Sequence, residues 1–207
     1  MMRDLVVWVG DVGSIRRGNF GWCRMPVGDG ETEEGTAIDQ MATRIAEDLS
    51  VGSQVALGFE CPLFVPISLE PRSLTSARVG EKTAWSAISA SGALVVGLAE
   101  TVWILERLGE QSAVEIRPTL GWQTFVRGDA NLLVWEAYVS GAAKVGSHSG
   151  DARVAAQSFL DACRGDIEVT NAVTAAHPFS LVGAALLRAG LASDTRLLHQ
   201  ARVVVKS

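Results

Sequence analysis

Three short runs of β-favouring apolar residues, Leu5–Val9, Val55–Phe59 and Leu132–Tyr138, each carry an acid at or near one end: Asp11, Glu60 and Glu136. Acids are depleted from strand interiors, and a buried carboxylate without a partner is costly, so each of these groups demands a cation, a set of donors or an exposed sheet edge. Apolar runs of this kind fit the covered strands of an α/β sheet. If the strands are neighbours, the carboxylates converge.

The segments between these runs predict the rest of the architecture. Leu5–Val9 stops at Gly10-Asp11-Val12-Gly13, and a strand-like pattern resumes over Phe20–Met25, which makes a hairpin whose tip is Arg16-Arg17-Gly18-Asn19. Gly28–Gly35 reads as an exposed turn around a weak third strand. Thr36 is placed to cap a helix in which Ile38, Met41, Ala42, Ile45 and Leu49 share one face. Proline should end the second apolar run at Glu60-Cys61-Pro62, and the irregular stretch from Pro62 to Glu81 is long enough to be a functional loop. Trp85–Leu108 predicts a long, largely buried helix with a break near Gly92. Helices over Asp151–Arg164 and Phe179–Ala189, then a last strand over Ala201–Val205, complete a single expected domain spanning residues 1–207.

The 207 residues are 48% hydrophobic and carry a formal net charge of −5, so a large core is within reach and a wholly basic nucleic-acid face is excluded. Cys23, Cys61 and Cys163 form no C-x-x-C pair, against both a zinc site and a disulfide framework. The opening apolar run is too short for a secretory signal, and Ala90–Leu105 is broken by Gly92, Gly97 and Glu100, short of a membrane span. The expected setting is therefore cytoplasmic, with no membrane partner.

Clustered carboxylates suit Mg²⁺ or Mn²⁺ and, through such ions, phosphodiester hydrolysis. In that reading Asp11, Glu60 and Glu136 are the metal ligands and catalytic acids, while Arg78 and Arg17 bind the substrate phosphate, with Arg16, Arg72 and Lys82 as further donors. The competing view has Glu136 paired with an arginine, Asp11 shaping a turn and Glu60 capping a loop. His148, His177 and His199 lack metal-ligand spacing and are expected to be structural or exposed; only His177, near Ser180, lies close to the expected site. The tryptophans are expected in the core, with Trp122 and Phe125 the pair that could instead stack on a base.

Four parts of the chain carry a family resemblance. Gly10-Asp11-Val12-Gly13 with Phe20-Gly21-Trp22 is similar to the opening hairpin of the ribonuclease H-like superfamily, in particular its small members described as predicted nucleases. Val55–Leu63 resembles that group's strand ending in an acid, a small residue, Pro and Leu; Val134–Tyr138 resembles the strand with its third acid, and Pro178–Gly190 its closing helix. The resemblance implies a mixed five-stranded sheet with helices on both faces, its first three strands antiparallel and the later ones parallel. It also implies a metal-dependent nuclease or phosphodiesterase acting on nucleic acid or a nucleotide. Two departures stand out: Glu60 replaces the usual aspartate, and Ser180 stands where the closing helix usually offers an acid. Three acids hold one metal well and two poorly, so a catalytically silent ribonuclease H-like binding module is the alternative. Asp161 and Asp194 are the candidate replacements for the missing acid. Asp11-Val12-Gly13-Ser14 also resembles the phosphate loop of the sugar kinase, Hsp70 and actin group, but 207 residues supply only one of its two lobes, so a homodimer would be needed.

Overall fold

The three apolar runs become neighbouring strands of one sheet. In the computed structural model, which describes residues 4–28, 30–139, 141–165, 171–200 and 202–207, they are β1 (Leu5–Asp11), β4 (Gln54–Phe59) and β7 (Leu132–Tyr138). β1 pairs in parallel with β4, and β4 in parallel with β7. On the other side of β1, the hairpin strand β2 (Gly21–Pro26) and then β3 (Glu33–Gly35) add antiparallel.

The sheet is thus mixed in the expected sense, but it has seven strands rather than five. Two short strands extend it. β6 (Pro118–Thr119) pairs with the start of β7 and β9 (Val204–Lys206) with its end, both parallel. β6 is too short to leave a strand pattern in the sequence, whereas β9 overlaps the expected last strand, Ala201–Val205, and is displaced toward its end; Ala201 lies outside the described residues. A separate antiparallel pair, β5 (Phe64–Pro66) with β8 (Pro178–Ser180), ties the loop after β4 to the start of the last helix.

Alternation along the strands divides the core into two faces. Val6, Trp8, Leu57, Leu132 and Val134 pack against α1 (Ile38–Ser50), α2 (Ile88–Gln111) and α5 (Leu181–Arg188). Val7, Val9, Ala56, Leu133 and Trp135 pack against α3 (Trp122–Val126) and α4 (His148–Gly165). Trp122 and Phe125 belong to this second core, so the base-stacking alternative has no surface here. Gly58 is required by the same layer: a Cβ there would sit 2.5 Å from the Trp135 indole.

Two helices differ from expectation. α1 begins after Ala37 and gains no side-chain cap from Thr36; it is secured instead by Asp48, which accepts hydrogen bonds from Trp8 Nε1 (2.8 Å) and from Arg24 Nε (2.9 Å) and Nη2 (2.7 Å). α2 runs unbroken through Gly92, and Ile88 and Val95 are exposed on it, so it is half-buried rather than largely buried. By length and composition alone it could cross a membrane, but its inner face packs against α1 and α5. Replacing Asp48 with alanine leaves the buried Trp8 indole N–H without its acceptor and the partly buried Arg24 guanidinium with Glu33 alone. Urea unfolding of Asp48→Ala is expected to show a loss of about 3 kcal/mol.

Candidate metal centre

The parallel register sets Gly10 beside Phe59, so the next residues, Asp11 and Glu60, stand side by side at the same ends of β1 and β4. Both project to the face covered by α4, two residues beyond Val9 and Gly58 respectively. The Glu60 N–H donates to Gly10 O at 2.9 Å, which carries the ladder one residue past the strand and holds Glu60 in line.

Gly21, paired with Asp11 in the hairpin, brings the third partner in. A Cβ at Gly21 would collide with the backbone of His148 and Ser149, so the bare Cα is what lets the start of α4 seat on β2. From there His148 Nδ1 lies 2.5 Å from Asp11 Oδ2. One turn further along α4, Asp151 faces the same point. Carboxylate oxygens of Asp11, Glu60 and Asp151 lie within 4.8 Å of one another.

An ammonium and an imidazole sit at this cluster. Lys144, in the turn before α4, places Nζ 2.9 Å from Glu60 Oε1 and 3.5 Å from Asp151 Oδ2. The Val145 N–H donates to Asp151 Oδ1 at 2.7 Å and fixes that turn. An ionised carboxylate only accepts, so the His148 Nδ1–H is the donor in its contact with Asp11. Charge is still in excess. Among the described residues Glu60 Oε2 is buried with no hydrogen-bond partner, and so is Oε2 of Glu100, an α2 residue whose carboxylate also accepts from the Gly13 backbone.

Burial, then the charge of Asp11, pushes the Glu60 carboxyl up to about 7, against the pull of Lys144. Glu100 is likewise raised to about 7, first by burial and then by Asp11, with the Gly13 hydrogen bond opposing. Asp11 is raised by burial, though His148 and Lys144 draw it back. For Lys144, burial opposes the charged form, but Glu60, Asp11 and Asp151 outweigh it and the pKa rises.

Glu136 does not join this cluster. Paired with Phe59 in register, it falls one residue out of phase with Glu60 and projects to the opposite face of the sheet. There Arg78 grips it at 2.5 and 2.8 Å while the Leu63 N–H donates to it at 2.9 Å. Arg78 also binds Glu81 and lies over the Phe64 ring, and it is only 2% exposed. The two residues expected to bind metal and phosphate are therefore partners in an internal ion pair. Arg17 remains exposed, on the 3-10 turn Ile15–Arg17 after Asp11.

Ser180, at the position of the missing acid, accepts from the Gly183 N–H at 3.0 Å and caps α5. Asp194 caps the turn Thr195–His199 and pairs with Arg196, while Asp161 lies exposed on α4 three turns beyond Asp151. The acid supplied in place of Glu136 is Asp151, which the sequence reading passed over. Its only trace there is the spacing of Lys144, His148 and Asp151, three or four residues apart at a helix start. The histidine at the site is His148, not His177. A cleft of about 310 Å³ shares Glu60 with this cluster and is otherwise lined by Arg78, Glu81, Glu136, Thr83 and Ser89 among others, without Asp11, His148 or Asp151.

No protein-family model matches this chain, and no curated protein or solved structure is significantly similar to it.

Two outcomes follow from these environments. Removing the charge of Glu136 leaves the buried Arg78 guanidinium with Glu81 as its one counter-ion, so Glu136→Gln is expected to cost about 2 kcal/mol in urea unfolding, while its Mn²⁺ titration curve stays that of the wild type. Glu100 binds its proton more tightly folded than unfolded, so its contribution to stability falls as pH rises from the ordinary carboxyl range to about 7. Glu100→Gln should therefore match the wild type in thermal melts near pH 4.5 and exceed it by on the order of 1–3 kcal/mol at pH 8.

Proposed function

We propose that Asp11, Glu60 and Asp151 bind Mg²⁺ or Mn²⁺, and that the protein is a metal-dependent phosphodiesterase or nuclease of ribonuclease H-like fold. The convergence of three carboxylates within 4.8 Å carries this reading. All the donors are oxygen atoms, as hard divalent cations require, and the buried Glu60 Oε2 has no hydrogen bond to give up. The sheet order β3-β2-β1-β4-β7, with its change from antiparallel to parallel at β1, supports the ribonuclease H-like assignment.

A bound ion of this class supplies positive charge to a phosphoryl oxygen and makes water more acidic. The chain's own residues supply the rest. Asp11 orients His148 so that Nε2, on a side chain 41% exposed, can take or return a proton at the mouth of the site. The hydroxyls of Thr83 and Ser89 line the cleft where the substrate beyond the phosphate would lie. Arg17, on the turn after Asp11, is the arginine of the two expected phosphate ligands that remains exposed.

The second reading is a catalytically silent module that binds a nucleotide or a protein partner. Lys144 favours it, because an ammonium already bridges two of the three acids. Cleavage of a panel of single- and double-stranded DNA and RNA in Mn²⁺ distinguishes the two. The hydrolase reading expects turnover that EDTA abolishes and that Asp11→Asn and Asp151→Asn each reduce at least about 100-fold. Absence of turnover from the Mn²⁺-saturated wild type would leave the binding module.

A further inference from the structure

Lys144 touches two of the three carboxylates that would ligate the ion, 2.9 Å from Glu60 and 3.5 Å from Asp151. A divalent cation on the unpartnered Oε2 of Glu60 would stand one carboxylate away from the ammonium on Oε1, and two cations that close in a site shielded from water repel each other. Removal of Lys144 alone would leave Asp11 held by His148 and Asp151 by the Val145 N–H, with Glu60 stripped of its ion pair. Lys144 is therefore the group that makes the ion-free cluster tolerable.

It is also built to move. Its side chain is 45% exposed although its Nζ is engaged, and it stands in a turn between Gly141 and Gly146, the latter at φ 89°. The four-carbon stem can swing out without unfolding α4, because the turn's own anchor is the Val145 N–H on Asp151.

Resting on the metal reading above, we propose that Lys144 is a tethered counterion that the divalent cation displaces, and that the displaced ammonium then pairs with the substrate's phosphate. The residue thus opposes the ion and favours the anion. Those two roles have opposite signs in one variant, which a purely structural salt bridge does not.

The test is Lys144→Met, which keeps the apolar stem, beside Lys144→Arg, which keeps the charge. Mn²⁺ alone is titrated calorimetrically into each folded protein, and inorganic phosphate into each Mn²⁺-loaded protein; thermal melts in EDTA verify folding. Lys144→Met is expected to bind Mn²⁺ about 10-fold more tightly and phosphate at least about 5-fold more weakly, with Lys144→Arg near the wild type on both. Mn²⁺ binding that is present in the wild type but unchanged or weaker in Lys144→Met overturns the exchange and leaves the metal reading standing. Phosphate affinity that is unchanged overturns the second role. Absence of Mn²⁺ uptake by wild type and variant alike overturns the metal reading and the exchange together.

Discussion

The parallel pairing of β1 with β4 is the constraint on which the rest of the site depends. It aligns Gly10 with Phe59 and so obliges Asp11 and Glu60 to stand next to each other. Two carboxylates at neighbouring strand ends repel, and burial strengthens that repulsion by removing the water that would screen it. Everything that surrounds them answers that cost: His148 on Asp11, Lys144 on Glu60 and Asp151, and a glycine at position 21 that lets the helix carrying His148 and Asp151 come close enough. The raised pKa of Glu60 is the part left uncompensated.

A second charged group, on the opposite face, has the contrary character. Arg78, Glu81 and Glu136 satisfy one another almost completely, and Phe64 lies between the Arg78 and Arg202 guanidinium groups at 4.4 and 4.0 Å. This network pins the loop after β4 to β7 and to the segment before β9. Its acids have no oxygen to spare for a ligand. Arg202, which lacks a carboxylate of its own and donates to the Leu63 and Gln200 carbonyls, has its pKa lowered to about 9 by burial. One face of the sheet thus uses charge for cohesion, and the other leaves it in excess.

The difference between the two was legible in part. Period-two alternation predicts that Cys61 turns away from Glu60, and Cys61 does lie in the α2 core against Gly97. Applying the same rule between strands needs the register, which fixes whether Glu136 falls in phase with Glu60 or with Phe59. Register follows the hydrophobic pattern and the connections, but strands apolar on both faces carry no alternation to read it from, and a shift of one residue reverses every side chain. That single residue separates a metal ligand from the partner of Arg78. Asp151 was harder to see because a polar residue in the first turn of a helix ordinarily serves the helix itself.

The sequence by itself determined the three core strands, the hairpin, the places of the five helices to within a few residues except the short α3, and the presence of acids at the ends of two adjacent strands. Those are local properties, written in the spacing of apolar residues and in glycine and proline. The tertiary structure alone decided which acids meet, that His148 and Lys144 join them, and that Glu136 and Arg78 neutralise each other instead. Such pairings depend on strand register and on how closely a helix approaches a sheet, and both are settled by contacts between residues far apart in the chain.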